Sequence, residues 1–384
     1  MKINFLQWAA LACIGTQALA SPIADPTATN ALHERSSSWD PSAWWNLWWK
    51  WFHQQQGNGG KQSCKSPLVR KEWRQLSDAQ KKEYISAVQC LASLPAITTA
   101  VIGGAITRFD DFQGVHSRQT PNIHWVGHFA VWHRLMMAYY EKALREECGY
   151  TGAQPYWDWL IDTESGLNMT QWPIFDPQTG FGGNGPFVEA TADQNPLGIE
   201  GHLGGGCVQD GPFAQGKFSL ALGPTVNYNL SNPHCLTRDF APSVAETNLV
   251  QSVWDEVMAE PDYGAFARRL EALPSWAMKN VHGGGHFGVG GILGTMGDAY
   301  NSPGDPLFYL HHTNLDHLFW SWQQEDLSTR LSEVSGPIVP FDYNNTVAGN
   351  VTLDFEINLF PLTGNFKLGD LLDTTGTKLC YTYQ

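Results

Sequence analysis

The sequence carries little charge, and positive charge is the scarcer kind. Only 16% of its 384 residues are charged, and 23 Lys and Arg oppose 37 Asp and Glu, which gives a formal net charge of −14. Nucleic-acid binding requires a basic face for the phosphates, so this balance argues against that class of function. A hydrophobic content of 42% argues against disorder throughout and suggests one large domain or two small ones.

Long apolar runs are missing after the first twenty residues, so we expect no membrane-spanning segment there. The amino terminus, MKINFLQWAALACIGTQALA, has a lysine, a short apolar run and small residues before Ser21. This pattern is typical of a secretory signal peptide over residues 1–20, cleaved after Ala20. An N-terminal anchor is the weaker alternative because the apolar run is short, and we therefore expect a secreted protein; membrane binding is the less favoured expectation and depends on the Trp-rich segment that follows.

Cysteine usage agrees with secretion. Cleavage would remove Cys13 and leave six cysteines, an even number that fits three disulfides, although about 15 pairings are open to them. Four Asn-x-Ser/Thr sequons predict glycosylation in a eukaryotic host. They begin at Asn168, Asn229, Asn344 and Asn350.

Residues 21–63 are predicted to form a leader and linker before the main domain of residues 64–384. Six of the 17 tryptophans lie between Trp39 and Trp51, and a Gln/Gly run follows them. Such a cluster can anchor at a membrane interface or a carbohydrate surface, but it can also fold back onto an apolar patch. We expect it to pack onto the body of the protein.

Helical spacing dominates the main domain. Ser77 is a plausible N-cap for a helix over 78–91, and a second helix beginning near Phe129 should stop at Gly149. Helical patterns return in 246–260, 262–282 and 305–326, whereas 162–240 is rich in Gly, Pro and Asn and is predicted to form long loops. Short strands are expected within 351–360 and 379–384, and there is no repeat of fixed period.

Most of the 13 histidines lie in two windows, residues 116–133 and 282–317. A single histidine is usually structural, but two distant clusters on helical segments suggest a bundle whose facing helices share a metal site. The fold class we predict is therefore mainly α, with a central four-helix bundle holding a binuclear metal site, wrapped by long loops and a few short strands.

The stretch PNIHWVGHFAVWHR at 121–134 leaves the ligand choice open. On one helix, His124 and His128 would share a face, whereas His133 would not. Pro121 disfavours a helix running through His124, so His124 can lie on an incoming turn and reach the same centre as His133. Nothing in the residues selects between His128 and His133.

Several motifs resemble the tyrosinase and polyphenol oxidase family. HWVGHFAVWHR at 124–134, followed by Glu141, resembles its first copper signature, and DPLFYLHHTNLD at 305–316 resembles its second. PYWDW at 155–159 and CVQDGPF at 207–213 are also similar to family sequence, and the resemblance extends from about Arg70 to the end.

The resemblance implies two copper ions. CuA would be held by His116, His124 and His133, and CuB by His282, His286 and His312. His128, His311 and His317 would be non-ligands. Arg134, Glu141 or Asp316 would orient ligand imidazoles by hydrogen bonds.

Two departures from the family pattern bear on the expectations. Many fungal members have a cysteine two residues before the second CuA ligand, which crosslinks to a histidine; Asn122 stands here, so no crosslink is expected. A Tyr-x-Tyr motif marks the end of the catalytic domain in longer relatives. Here it is Tyr381 and Tyr383, so we expect the short class, without a C-terminal domain that plugs the site.

The resemblance implies an oxidase that uses O2 to convert o-diphenols, and in some members monophenols, to o-quinones. Gly283 stands where proficient tyrosinases often have Asn, and bulky Phe287 follows His286, so both are candidate substrate contacts and we expect a preference for o-diphenols. An oxygen-binding, haemocyanin-like protein is one alternative. A zinc hydrolase built on His124 and His128 is another, but it lacks the glutamate of the H-E-x-x-H pattern.

Overall fold

The computed structural model describes residues 64–272 and 278–384. The predicted signal peptide and the Trp-rich leader, with its expected packing onto the body, lie outside the described residues. Within the described ranges, no helix combines the length and the apolar character needed to cross a membrane.

Helices dominate the described ranges, as predicted. The ten α-helices there are α1 (Asp78–Leu91), α2 (Arg108–Ile123), α3 (Phe129–Cys148), α4 (Trp159–Thr163), α5 (Pro242–Asn248), α6 (Gln251–Met258), α7 (Tyr263–Leu270), α8 (Val281–Gly290), α9 (Leu307–Gln324) and α10 (Leu327–Arg330). The four short strands are β1 (Leu68–Arg70), β2 (Glu356–Ile357), β3 (Phe366–Lys367) and β4 (Tyr381–Tyr383).

The ends of α1 and α3 follow local chemistry that the sequence displays. Ser77 caps α1 through a reciprocal pair, because its hydroxyl accepts from the Gln80 N–H while the Gln80 side chain accepts from the Ser77 N–H. α3 stops at Gly149, which adopts φ +69 and donates its N–H to the Leu144 carbonyl. Both predicted helices are confirmed.

Helix α2 was not predicted, although Phe109, Phe112 and Val115 recur at helical spacing. Its buried residues also include the polar Asp110, Asp111 and Gln113, whose side chains bond to neighbouring loops and lie between the apolar positions. Pro121 does not break the helix but lies in its last turn, and the helix ends at Ile123. His124 follows in extended conformation, so the expectation that it lies outside a helix is confirmed.

Helix α8 is held by close packing that only glycine permits. A Cβ on Gly284 would lie 2.6 Å from the Asn248 Cβ of α5, and one on Gly285 would lie 2.2 Å from the His311 ring of α9. Glycine weakens a helix by roughly 1 kcal/mol per residue relative to alanine. The glycines therefore lower the intrinsic stability of α8, but they allow it to approach both α5 and α9 closely.

Residues 164–241, between α4 and α5, are irregular apart from short 3₁₀ turns and isolated bridges, so the predicted loop region is confirmed. The three expected disulfides are present. They join Cys64 to Cys380, Cys90 to Cys148 and Cys207 to Cys235. The asparagines of all four sequons are exposed.

The strands close the domain over a buried polar network. β1 pairs in parallel with β4, and β2 pairs antiparallel with β3. Asp316 on α9 accepts hydrogen bonds from both tyrosines of β4 and ion-pairs with Arg70 of β1 and Arg134 of α3. Although burial acts to raise it, Arg134 and Arg70 hold the pKa of Asp316 below its ordinary value. The network thereby fixes α9 and α3, which both carry site histidines.

Candidate metal centre

The first group of histidines, which we name trio A, comes from α2 and α3. His116 lies on α2, His124 directly after it, and His133 on α3. Their ring centroids are separated by 5.3 Å (His116 and His124), 5.7 Å (His116 and His133) and 5.3 Å (His124 and His133). One nitrogen of each ring lies within 4.8 Å of the others, so one metal ion could contact all three.

The second group, trio B, comes from α8 and α9. His282 and His286 are four residues apart and share one face of α8, while His312 projects from α9. Their ring centroids are 4.8, 5.4 and 5.2 Å apart, and their nitrogens again lie within 4.8 Å of one another.

The two trios face each other across a short gap. The rings of His133 and His312 stack at 4.5 Å, and those of His124 and His282 at 6.1 Å. Two phenylalanines contact both sides. Phe129 packs on His133 and His282, and Phe308 on His116 and His312. The six imidazoles therefore converge in an aromatic enclosure.

Backbone carbonyls fix the orientation of four of the six rings through Nδ1. His116 donates to Tyr300 (3.0 Å), His124 to Thr120 (3.2 Å), His133 to Phe129 (2.9 Å) and His286 to Met296 (2.9 Å). A proton on Nδ1 leaves a lone pair on Nε2 of each ring.

The environment of the Nε2 atoms in the two trios fits a bound metal ion. In His116, His133 and His282 the Nε2 atom is buried and has no hydrogen-bond partner among the described residues. The Nε2 atoms of His286 and His312 approach each other at 3.0 Å. Buried acceptors without partners are costly, and a cation shared by each trio would satisfy them. All-imidazole donor sets suit copper, zinc, iron or nickel.

Burial also keeps the rings neutral. It lowers the pKa of His124 and His286 to about 4, and it lowers the pKa of the other four well below the ordinary value, with further lowering by neighbouring imidazoles. Since a protonated imidazole cannot bind a metal, the enclosure keeps the ligands available at neutral pH.

The trios differ in solvent contact. All three histidines of trio A are buried, and His124 with 7% exposure is the most accessible. In trio B only His312 is buried, whereas His282 and His286 are half-buried. Gly283 and Phe287, the predicted substrate contacts, are half-buried on the same helix. The accessible side of the centre is therefore α8.

Hydrogen bonding separates the neighbouring histidines that the sequence could not separate. His311 donates from Nε2 to the His282 carbonyl (3.1 Å) and accepts at Nδ1 from the Trp159 indole (3.0 Å), so neither nitrogen is available. His128 donates from Nε2 to the Asn122 carbonyl (2.9 Å), and its ring packs on Phe355. Its buried Nδ1 atom has no hydrogen-bond partner among the described residues, but it lies in neither group of potential metal ligands.

His317 lies outside both trios, packed against the aromatic rings of Tyr156, Trp320 and Tyr383.

The predicted hydrogen bonds from Arg134, Glu141 and Asp316 to ligand imidazoles are wrong. These side chains join the network beneath the strands instead, where Glu141 pairs with Arg70 at 2.6 Å. The carbonyls of residues 120, 129, 296 and 300 orient the rings. Every residue carries a carbonyl, so no sequence signal distinguishes these four.

Glu271 also supports the site, by holding the turn next to His124, and the residue pattern did not indicate this role. Its buried carboxylate accepts from the Trp125 N–H at 2.8 and 2.9 Å, and burial raises its pKa well above the ordinary value. Trp125 has φ +55, a strained conformation for a bulky residue, and it directly follows His124. Glu271 therefore holds the turn that presents His124.

Comparison with known proteins agrees with this geometry. Residues 106–325 match the common central domain of tyrosinase. The chain belongs to the tyrosinase family and is a tyrosinase-like, type 3 copper oxidoreductase.

Its relatives include fungal proteins of similar length. It is 36% identical over 337 residues to the tyrosinase-like protein phomQ1 of Diaporthe leptostromiformis. This alignment covers 84% of the present chain and 79% of the relative. It is 35% identical over 352 residues to N-acetyl-6-hydroxytryptophan oxidase ivoB of Emericella nidulans, covering 84% and 93%. The solved structure of a glycine-to-asparagine mutant of the polyphenol oxidase from Thermothelomyces thermophila superimposes with a TM-score of 0.73 at 30% identity, covering 88% and 93%.

The zinc hydrolase alternative is wrong. It required His124 and His128 to share one metal, but the Nε2 atom of His128 is bound to a carbonyl and His128 belongs to neither trio.

Proposed function

We propose that this protein is a secreted oxidase with two copper ions that converts o-diphenols, in preference to monophenols, to o-quinones at the expense of O2. His116, His124 and His133 would hold CuA, and His282, His286 and His312 would hold CuB. The observation that carries the proposal is the convergence of these six neutral imidazoles in two facing trios, in which the Nε2 atoms of His116, His133 and His282 are buried without a hydrogen-bond partner among the described residues. Bound copper supplies the redox chemistry that passes electrons from the phenol to O2.

The chain itself supplies orientation and shape. Carbonyl acceptors on Nδ1 hold four rings in place, and Phe129 and Phe308 fill the space beside the rings and exclude water from it. The phenol reaches the centre beside α8, where His282 and His286 are half-buried. Phe287 offers an apolar contact to its ring.

The preference for o-diphenols rests on Gly283. With no side chain, this position cannot offer a polar group that would help remove the proton of a monophenol. A catechol ionises more readily and needs less help. The Emericella nidulans relative is named for a hydroxyindole substrate, so hydroxyindoles belong beside simple phenols in a substrate panel.

Secretion and glycosylation are supported by two further observations. The three disulfides suit an oxidising compartment, and the four sequon asparagines are exposed where a glycan could be attached.

The test measures copper per chain in the purified protein and then O2 consumption with a catechol and its matching monophenol. We expect two coppers and faster catechol turnover. Equal rates without a lag would refute the substrate preference. Reversible O2 uptake without product would favour the haemocyanin-like alternative, and a protein that binds no copper would refute the proposal.

A further inference from the structure

A single short loop contacts both trios. Residues 295–301, which we name the bridging loop, connect the end of α8 with the approach to α9. The Met296 carbonyl accepts from His286 of trio B at 2.9 Å, and the Tyr300 carbonyl accepts from His116 of trio A at 3.0 Å. Any change in the shape of this loop would therefore move one ring of each trio relative to the other.

The side chain of Asp298, between those two carbonyls, fixes the shape of the loop. One carboxylate oxygen accepts from the N–H groups of Tyr300 (2.9 Å) and Asn301 (3.1 Å), and the other accepts from the Asn301 side-chain amide (3.0 Å). The Asp298 backbone is also bound at both ends, to the Thr295 carbonyl and to the Ser302 N–H. Loss of the carboxylate would free the segment that ends at the Tyr300 carbonyl.

The loop is anchored firmly to its surroundings. The Asn301 amide also donates to the Thr225 carbonyl at 2.9 Å, which ties the loop to the long irregular region. At the other end, Gly297 packs so closely on α8 that a Cβ on Gly290 would lie 1.9 Å from its backbone nitrogen. With both ends fixed, the conformation between them depends on the bonds to Asp298.

We propose that Asp298 is a positioning residue that sets the separation of the two metal sites, by holding a loop whose carbonyls orient a histidine of each trio. This inference rests on the proposed binuclear copper centre. Asp298 touches neither imidazole, so it acts through the carbonyls of Met296 and Tyr300. Its removal should disturb both metals together rather than one of them.

The test compares the full-length wild-type protein with Asp298→Asn, using copper alone as the probe. Asparagine keeps the size but loses one acceptor oxygen and the charge. Two Cu(II) ions held at the correct separation couple magnetically and give little EPR signal, so the readout is the EPR-visible fraction at measured copper content. We expect that fraction to rise and copper affinity to fall ~10- to 100-fold at both sites, as is typical when a group supporting a metal ligand is lost.

Asp176→Asn is the matched control. Asp176 also accepts from two backbone N–H groups, of Gln178 (2.8 Å) and Thr179 (2.7 Å). Among the described residues, its side chain bonds to none of the six site histidines and to no residue of the bridging loop. The control should keep the wild-type EPR signal and copper affinity.

The outcomes separate this inference from the proposed function. A wild-type protein that binds no copper would refute the function itself. An Asp298→Asn protein that binds two coppers with wild-type affinity and with the low EPR signal of the wild type would overturn only the role of Asp298. Should that variant not fold, Asn301→Ala removes the hydrogen bonds that the Asn301 side-chain amide makes to Asp298 and Thr225. This variant should raise the EPR-visible fraction to a smaller extent. An unchanged signal in folded Asn301→Ala also overturns the role of Asp298.

Discussion

Trio A and trio B contain the same three side chains but are built on different supports. Trio A is carried by α2 and α3, of 16 and 20 residues, and all of its rings are buried. Two of the three rings of trio B are half-buried and belong to α8, a ten-residue helix whose glycines pack closely on α5 and α9. The difference suggests a division of labour, in which trio A is a closed support and trio B is the side that meets substrate.

The strongest test of this comparison is the loss of one ligand from each trio. We expect His133→Ala to lower oxidase activity on the order of 10³-fold or more, which corresponds to about 4 kcal/mol of lost transition-state stabilisation. In His286→Ala water can reach the half-buried position and complete the coordination, so more copper should remain. Copper per chain and catechol oxidation measure both effects. Equal copper loss in the two variants would contradict the division into a closed and an open side.

The pH dependence of the copper-free protein is the next largest effect. The pKa of His124 and of His286 falls from 6.5 in the unfolded chain to about 4 in the fold. Below pH 6.5 the unfolded chain therefore binds more protons than the folded one, and the unfolding free energy decreases until about pH 4. Each ring contributes about 3 kcal/mol to the full loss of unfolding free energy, and none of that loss is present well above pH 6.5.

Denaturant unfolding across this pH range, with His124→Asn and His286→Asn, checks the expectation. Each replacement should flatten the pH profile to a similar degree, because the two pKa values are alike despite their different exposure. A profile that stays as steep as the wild type's would show that these rings do not resist protonation.

The close packing of α8 can be tested with two glycines two residues apart. Gly285→Ala would place a Cβ 2.2 Å from the His311 ring, and overpacking of this kind typically costs about 1–3 kcal/mol. Gly283→Ala meets only the amide end of Asn280 at 3.0 Å, so the better helix propensity of alanine should leave stability unchanged or raise it by up to about 1 kcal/mol. Equal unfolding midpoints in the two alanine variants would show that α8 does not depend on its contact with α9.

The smallest expected effect concerns substrate choice at the open side. Gly283→Asn introduces a polar group beside His282, and we expect the ratio of monophenol to diphenol turnover to rise by up to about tenfold, or about 1.4 kcal/mol. The matched variant Gly283→Ala adds a Cβ without polarity and should leave the ratio near that of the wild type. An unchanged ratio in Gly283→Asn would remove Gly283 from the determinants of specificity.

The elements that the sequence predicts correctly are those with a local cause. The cap at Ser77 and the stop at Gly149 depend on neighbouring residues alone, and the structure has both. The convergence of the two histidine windows followed from metal chemistry and the family motifs. Helix α2 was missed although it has apolar residues at helical spacing, because buried carboxylates and an amide lie between them and are satisfied by loops outside the helix.

The supports of the site could not be predicted, because they depend on tertiary contacts. The bridging loop acts through two carbonyls, and its sequence, TMGDAYN, carries no pattern that reveals them. Glu271 likewise resembles any helix-end glutamate until the fold brings it to Trp125. The disulfide pairings are of the same kind, since six cysteines in sequence do not identify their partners.

The hydrogen bonds of His311 have a consequence for how the protein acquires its metals. An unbonded imidazole next to His312 would compete with it for an incoming metal ion. Both nitrogens of His311 are already hydrogen-bonded, to the indole of Trp159 and to the carbonyl of His282, so His311 offers no lone pair to that ion. Loss of the Trp159 indole would leave a competing acceptor at the threshold of the second site, and misloaded protein would accumulate even though every ligand remained in place.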